Sequence, residues 1–318
     1  MLSLPPVATV VLTYNDVVMT RGCLQSVLQS DYPRDRHAVY LVDNHSYQIP
    51  VRDLVRDFPD VRYVRTPCNL GYSGGMNAGI RRALNDGPRY VFVLNNDTRV
   101  DPRYLLTSVG AMEADRTIGV CGSMLLDYHF PQKIQEIGFS FKTQREFPIP
   151  IGRDELDAGQ HDHVKYVDTV CGAAICLRAT TLLGAGLFDP SFFCYWEDTD
   201  LCFRIRRTGQ RVAANGKSKV YHLGSFSLGG VSSLWLYCAT RNYLWFAKRH
   251  GFGVTALKLK LRRMPWTLGW LFLKARRGRI AGAYFRGLLH GWYRPPLTDA
   301  RLIEESLTPS SIPQCPYA

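Results

Sequence analysis

The sequence predicts a doubly wound α/β domain with a mostly parallel sheet, followed by a helical, basic C-terminal region. Three observations carry this. Short apolar runs alternate with helix-period segments through the first hundred residues, polar clusters follow the ends of those runs, and no acidic residue occurs between Leu201 and Thr298. Val7–Thr13, Ala38–Val42, Val61–Val64 and Tyr90–Leu94 read as strands buried on both faces, being nearly continuous in apolar residues and rich in Val and Tyr. Thr20–Ser30, Val51–Asp57 and Gly75–Asn85 read as the helices between them. Strand-helix alternation of this kind builds a parallel sheet through crossover connections. Ligands of such sheets bind beyond the carboxyl ends of the strands. Tyr14-Asn15-Asp16, Asp43-Asn44 and Asn95-Asn96-Asp97 stand there.

From Ile118 to Val170 the pattern is less regular and reads as a loop region, with the turn-rich Phe147-Pro-Ile-Pro-Ile-Gly and the polar run Arg153–His163. Beyond Ser232 it is helical: first Ser232–His250, then stretches around Ala256–Arg263 and Trp266–Arg279 with Pro265 dividing them. The last stretch, with Pro309, Pro313 and Pro316, reads as a loose tail. The expected units are 1–230, with halves of about 1–117 and 118–230, and a helical region at 231–318.

With 318 residues, 46% of them hydrophobic and 21% charged, the chain can bury a sizeable core. Its nine cysteines include no Cys-x-x-Cys pair, and Cys171/Cys176 and Cys194/Cys202 are too widely spaced for a zinc knuckle. Reduced thiols of a cytosolic protein fit that pattern. The start, Met1-Leu-Ser-Leu-Pro-Pro, has no basic segment before Val7 and reads as the lead into a first strand rather than a signal peptide. The apolar run Trp266–Leu273 is too short to span a bilayer. The net charge of +12 is unevenly spread. Leu201–Thr298 holds nineteen Lys and Arg and no acid, which leaves the remainder near −7, 20 basic against 27 acidic residues. Five of the six tryptophans lie beyond Leu234, so the basic third is also aromatic and suited to meeting anions.

Several clusters could carry chemistry. Asn95-Asn96-Asp97 closes a strand, and its oxygens are suitable ligands for Mg²⁺ or Mn²⁺, which would clamp a diphosphate. Alone, it is equally an Asx-capped turn. Tyr195-Trp196-Glu197-Asp198-Thr199-Asp200 precedes the amphipathic Leu201–Arg207. Its acids would stabilise a helix N-terminus. A carboxylate among Phe192, Phe193, Tyr195 and Trp196 would equally have a raised pKa and act as a general base, with a sugar stacked on the rings. His222 ends the strand-like Lys219-Val-Tyr-His and is either structural or a metal ligand. Asn69-Leu-Gly-Tyr-Ser-Gly-Gly-Met-Asn77 opens a helix, where backbone N–H groups could face phosphate or ribose, or simply form a glycine-rich turn. It matches neither a dinucleotide fingerprint nor a P-loop.

Taken in order, Thr13-Tyr14-Asn15, Val42-Asp43-Asn44, Asn69–Asn77, Leu94-Asn-Asn-Asp97-Thr, Trp196-Glu-Asp-Thr-Asp-Leu-Cys-Phe-Arg204 and His222 resemble a family 2 glycosyltransferase. The similarity is to the bacterial rhamnosyltransferase-like and galactofuranosyltransferase-like branch and spans about Val7 to Ser225. The resemblance implies a GT-A fold and inverting transfer from a UDP- or dTDP-linked sugar to a hydroxyl, with a divalent cation as cofactor. It implies that Thr13, Tyr14, Asn15 and Asp43 frame the nucleotide, and that Asn69, Gly75, Asn77, Asn95 and Asn96 line its base, ribose or phosphates. Asp97 and His222 would hold the metal, Asp198 would be the catalytic base with Glu197 the alternative, and Tyr195 and Trp196 would meet the acceptor. Residues 118–230 would then form the acceptor half. Asn95 departs from the family's D-x-D, removing one negative charge from the metal site.

The clusters Lys258, Lys260, Arg262, Arg263 and Lys274, Arg276, Arg277, Arg279, with Trp266, Trp270 and Phe272 between them, look like an interfacial membrane element. A packed subdomain with a solvated basic face is the alternative. No nucleic-acid-binding motif accompanies the charge. A cytoplasmic protein held peripherally at the inner face of the plasma membrane, acting on a glycan or lipid-linked acceptor of the cell envelope, fits this reading. It leaves room for a homo-oligomer. The rivals are a GT-A-like glycan-binding or assembly protein of weak or no activity, which Asn95 favours, and a nucleotidyltransferase. The latter would need a Gly-rich, basic loop where Tyr14-Asn15-Asp16 stands.

Overall fold

The computed structural model describes residues 4–47, 50–141, 147–224, 232–270 and 281–293. Strands β1 (Val7–Thr13), β2 (His37–Asp43), β3 (Val61–Arg65) and β4 (Tyr90–Asn95) fall on the four apolar runs. Helices α1 (Val17–Leu28), α2 (Val51–Val55) and α3 (Gly71–Leu84) connect them. These strands lie in the order β3-β2-β1-β4 and are parallel throughout. Asp16 starts α1 by accepting the Met19 N–H at 3.0 Å. Gly79 lets α3 lie close on the sheet: a Cβ there would stand 2.4 Å from Val10 and 2.5 Å from Val42.

The second half runs β5 (Thr98–Val100), α4 (Tyr104–Ala114), β6 (Ile118–Asp127), β7 (Ile134–Glu136), β8 (Phe139–Ser140), β9 (Ile149–Pro150), β10 (Val164–Tyr166) and β11 (Ala174–Arg178). It continues with α5 (Ala179–Ala185), α6 (Glu197–Arg207) and β12 (Arg211–His222). Beyond β4 the sheet order is β11-β6-β12-β10. β6 and β12 run with the first four strands, while β11 and β10 oppose them, so the sheet is mostly parallel. Its two faces bury separate apolar layers, one on α1 and α4, the other on α3, α5 and α6.

Two expectations are corrected. The stretch from Ile118 does not begin as loop, because β6 is a ten-residue strand in the sheet interior. Burial on both faces removes its alternation, and Gly119 and Gly122 interrupt the apolar run. Gly122 is there for space: a Cβ would stand 2.5 Å from Val170. Nor does Pro265 divide two helices. After α7 (Ser233–Arg249), α8 runs unbroken over Gly253–Gly269. The hydrogen bond that proline cannot make concerns the carbonyl of exposed Leu261, which water can satisfy. Lys274, Arg276, Arg277, Arg279, Phe272 and the proline-rich tail lie outside the described residues. Helix α9 (Ala281–Tyr293) then packs with α7 and α8 around an aromatic core that includes Phe192 and Phe203. No described helix is long and apolar enough to cross a membrane. The described cysteines are free thiols.

Candidate active site

The polar clusters gather at the carboxyl ends of β1, β2 and β4, the crevice side of a sheet of this kind. At the end of β4 the chain turns through Asn96 and Asp97 into β5, which pairs antiparallel with β12 so that Thr98 lies opposite His222. This pairing sets His222 Nε2 3.5 Å from Asp97 Oδ1. Asp97 Oδ1 is buried and accepts no hydrogen bond among the described residues, an expensive condition for a carboxylate oxygen unless a cation serves it. His222 Nδ1 meets Gln135 Oε1 at 3.0 Å, and Gln135 Nε2 donates to the His222 carbonyl at 2.7 Å. Nδ1 therefore carries the proton, and the Nε2 lone pair faces Asp97. Burial holds this imidazole below its ordinary pKa against the opposing pull of Asp97 and Asp127, keeping it neutral. These residues fit a divalent cation. Among the described residues no group of three or more His, Cys, Asp or Glu could enclose one, so water and phosphate oxygens of a bound substrate would complete its coordination.

A short relay ties this strand end to the acidic helix. The Asn95 N–H donates to the Ala173 carbonyl at 3.0 Å, and the Gly172 N–H donates to Asp198 Oδ2 at 2.8 Å. Tyr72 from α3 donates to the Gly172 carbonyl at 2.6 Å. Asp198 Oδ1 accepts from the Thr199 N–H at 2.6 Å and its hydroxyl at 3.2 Å. Burial raises the Asp198 carboxyl above its ordinary pKa, while those N–H groups pull it back. Glu197 is more extreme. It is buried, its Oε2 has no hydrogen-bond partner, and burial followed by the neighbouring Asp198 pushes its pKa well above the carboxylate range. Of the two carboxyls Glu197 is the one pushed further toward its protonated form, and Asp198 the one held by N–H groups.

Several residues expected to touch the nucleotide are occupied in holding the crevice walls. Fully buried Asp43 accepts from the Ser46 N–H at 2.8 Å, Tyr63 Oη at 2.6 Å and Arg65 at 2.7 Å. Asn15, in the left-handed region at φ 55°, bonds the same loop through its N–H to Ser46 Oγ at 2.8 Å and through Oδ1 to the Tyr47 N–H at 2.9 Å. Thr13 turns to Thr20 and the Asp16 carbonyl, and Asn96 also reaches Thr20, at 3.1 Å. Asn69 accepts from Asn44 Nδ2 and from the Gly71 N–H, both at 2.9 Å. Buried Asn77 clips both backbone groups of Phe188. Gly75 gives Leu12 room, a Cβ there standing 2.6 Å from it. Tyr14 is 42% exposed at the mouth, edge-on to Tyr47. Asn95 lies half-buried at the strand end.

The loop before α6 is held from α7, which sequence patterning missed. Phe193, Tyr195 and Trp196 all have positive φ. Asn242 Nδ2 reaches the carbonyls of Phe192, Cys194 and Tyr195 at 2.7–2.8 Å, and Arg241 grips those of Ser191 and Phe192. Trp196 packs on Tyr243 and Phe246, and Tyr195 meets Trp235 edge-on at 6.4 Å. Gly71, at φ +68°, admits the loop against α3, since Phe193 atoms lie 2.5 Å from where its Cβ would be. Glu136 was also missed. It is a buried carboxyl on β7 whose pKa is raised to about 8, by burial first and Asp198 second. Its apolar-flanked position in Ile134-Gln-Glu-Ile137 is the signal that could have marked it.

Residues 9–155 match the profile described as Glycosyl transferase family 2. The chain is 29% identical over 156 residues to a low-salt glycan biosynthesis hexosyltransferase of Haloferax volcanii, covering 46% of this chain and 47% of that protein, about half its length. It is 23% identical over 235 residues to an N-acetylglucosaminyl-diphospho-decaprenol L-rhamnosyltransferase of Mycobacterium tuberculosis, covering 67% of this chain and 75% of the relative. The mannosyltransferase PcManGT of Pyrobaculum calidifontis, solved with GDP-Man and Mn2+, superposes with TM-score 0.58 at 14% identity over 92% of this chain and 89% of that one. GalNAc-T7, solved with UDP, GalNAc and Mn2+, superposes with TM-score 0.64 at 15% identity over 77% and 48%. At these identities the structural likeness is one of fold.

Proposed function

Because the chain carries a family 2 glycosyl transferase domain on a GT-A fold, we propose that it transfers a sugar, with inversion, from a nucleotide-diphosphate donor to an acceptor hydroxyl. The observation that carries this reading is the unserved, buried Asp97 Oδ1 facing the lone pair of a neutral His222, on the strand end tied to Asp198. Asp97 and His222 would hold a divalent cation, which when bound supplies positive charge against the departing nucleotide diphosphate. The two solved neighbours hold Mn2+ with UDP or GDP-Man, which supports the same cofactor and donor class here.

Asp198 takes the acceptor proton as the hydroxyl attacks the anomeric carbon. Its raised pKa makes it a stronger base than an exposed aspartate, and the fixed Gly172 and Thr199 N–H groups hold it in one orientation. Burial and the neighbouring Asp198 push Glu197 further toward its protonated form, which favours Asp198 as the base. Loop residues Tyr195 and Trp196 form the acceptor side, Trp196 as a fixed wall against α7 and Tyr195 as the ring nearer the opening.

The acceptor is proposed to be lipid-linked, as the name N-acetylglucosaminyl-diphospho-decaprenol L-rhamnosyltransferase indicates for one relative. The acid-free basic stretch supports peripheral attachment at an anionic membrane face. The test is a panel of UDP-, dTDP- and GDP-sugars assayed with Mn2+ and in chelator. Asp97→Ala should lose both transfer and metal-dependent donor binding while unfolding as wild type does. Full activity of that variant, or of wild type in excess chelator, overturns the metal reading. A dead Glu197→Gln beside an active Asp198→Asn overturns the choice of base.

A further inference from the structure

Outside the crevice, α7, α8 and α9 enclose a groove of about 690 Å³, lined among others by Trp235, Lys260, Arg263, Trp266, Trp270 and Tyr284. Lys260, Arg263, Trp266 and Trp270 recur at helical spacing, so one face of α8 presents two cations and then two indoles. The indoles are open, Trp266 83% exposed and Trp270 42%. The Lys260 ammonium is not a solvated surface charge. It sits over the rings of Phe147 at 5.2 Å, Tyr243 at 5.3 Å and Tyr284 at 6.0 Å. Among the described residues, the charged neighbour that bears on it is Arg263, a like charge. No acid exists between Leu201 and Thr298 to neutralise the pair. Burial, then Arg263, brings the Lys260 pKa down to about 8.

Among the described residues no acid neutralises this cation pair, and an anion entering the groove would relieve the cost of holding it away from water. The exposed indoles farther along the same face suit hydrocarbon rather than a second charge. The groove also adjoins the crevice, because Trp235 on its wall meets Tyr195, three residues before Asp198.

We propose that this groove seats the lipid carrier of the acceptor, its phosphate or diphosphate head at Lys260 and Arg263 and its hydrocarbon chain along Trp266 and Trp270. The inference rests on the transferase reading above for the word acceptor, and on the groove alone for the ligand chemistry. A head held there places the attached sugar toward Tyr195 and the base.

The test uses the full chain in chelator on an Asp97→Asn background, so that the crevice cannot hold a diphosphate through metal. Farnesyl diphosphate, farnesol and inorganic diphosphate are titrated while tryptophan fluorescence is followed. Farnesyl diphosphate should bind at least about tenfold more tightly than either fragment. Trp266→Ala, at an exposed position that does not burden folding, and Lys260→Met should each weaken it by about tenfold. Metal-dependent donor binding, measured with Asp97 intact, should be unchanged in both variants. Equal binding of inorganic diphosphate overturns the proposal in favour of a bare anion site. Unchanged affinity in both variants overturns the location. Binding to anionic vesicles without binding to monomeric farnesyl diphosphate overturns it in favour of a membrane surface. If wild type binds no nucleotide sugar but farnesyl diphosphate still binds, the transferase reading fails and the groove assignment stands.

Discussion

Asp198 and Asp200 stand two residues apart on the first turn of α6 and live in opposite electrostatic worlds. Asp198 faces the crevice, held by N–H and hydroxyl groups with no cation paired to it, and its pKa is raised. Asp200 faces the seam with α7, where Arg204 bonds it at 2.8 Å, Arg249 at 3.0 Å and His250 at 3.1 Å. Burial alone would raise its pKa, but those partners hold it below the carboxylate range. Arg249 extends the seam to Asp189 at 2.6 Å, and Arg204 continues to the carbonyls of Ala185 and Leu187. The difference separates stability from function. The seam pairs its carboxylates with cations, whereas among the described residues Asp97, Glu136 and Glu197 each keep a buried oxygen with no hydrogen-bond partner.

That contrast can be broken from either side, and the largest effects come from exchanging the two aspartates' fates. Asp198→Asn should lower transfer by about 10²–10⁴-fold while moving chemical-denaturation stability by less than about 2 kcal/mol. Asp200→Asn should do the reverse, destabilising by about 3–5 kcal/mol because Arg204 and Arg249 lose their shared anion inside the fold. Equal stability of the two variants would erase the distinction.

Glu136 sharpens the contrast through pH. Its folded-state pKa is raised from 4.5 to about 8, so the folded state binds the extra proton. The resulting stability is fully present below about pH 4.5 and is lost as pH rises through 8. Glu136→Gln, compared with wild type in chelator, should therefore differ little at pH 4.5 and be more stable above pH 8, by up to a few kcal/mol. Parallel stability curves for the two proteins would show that Glu136 stays charged. The smallest effect belongs to Gln135. Gln135→Ala should weaken metal affinity, read by Mn2+ titration, about tenfold to a hundredfold by freeing the His222 tautomer, with little change in stability.

Sequence patterning reads this molecule well where the signal is local. Strands β1, β2 and β4 announce themselves because each is apolar along most of its length. Asp97, Asp198 and His222 stand at strand or helix ends, where backbone direction alone exposes them. What it misses depends on distant partners. β6 hides because burial on both faces erases alternation, and its glycines, which make room for neighbours such as Val170, look like punctuation. The bonds of Asn77 to Phe188 and of Asp43 to Tyr63 and Arg65 become visible only when segments far apart in the chain meet. The same holds for Asn242, an ordinary helix residue in sequence whose amide reaches a loop nearly fifty positions earlier.

That amide has a consequence for how such proteins can be taken apart. The family profile ends at residue 155, the proposed base Asp198 stands beyond it, and the side chains that shape the loop before it, Arg241 and Asn242, belong to α7. A fragment cut near residue 230 would keep the carboxylate and lose the mould for its approach. The three C-terminal helices are thus inseparable from the reactive end of the molecule. A graft that exchanged them between relatives would exchange with them the side chains that hold this loop.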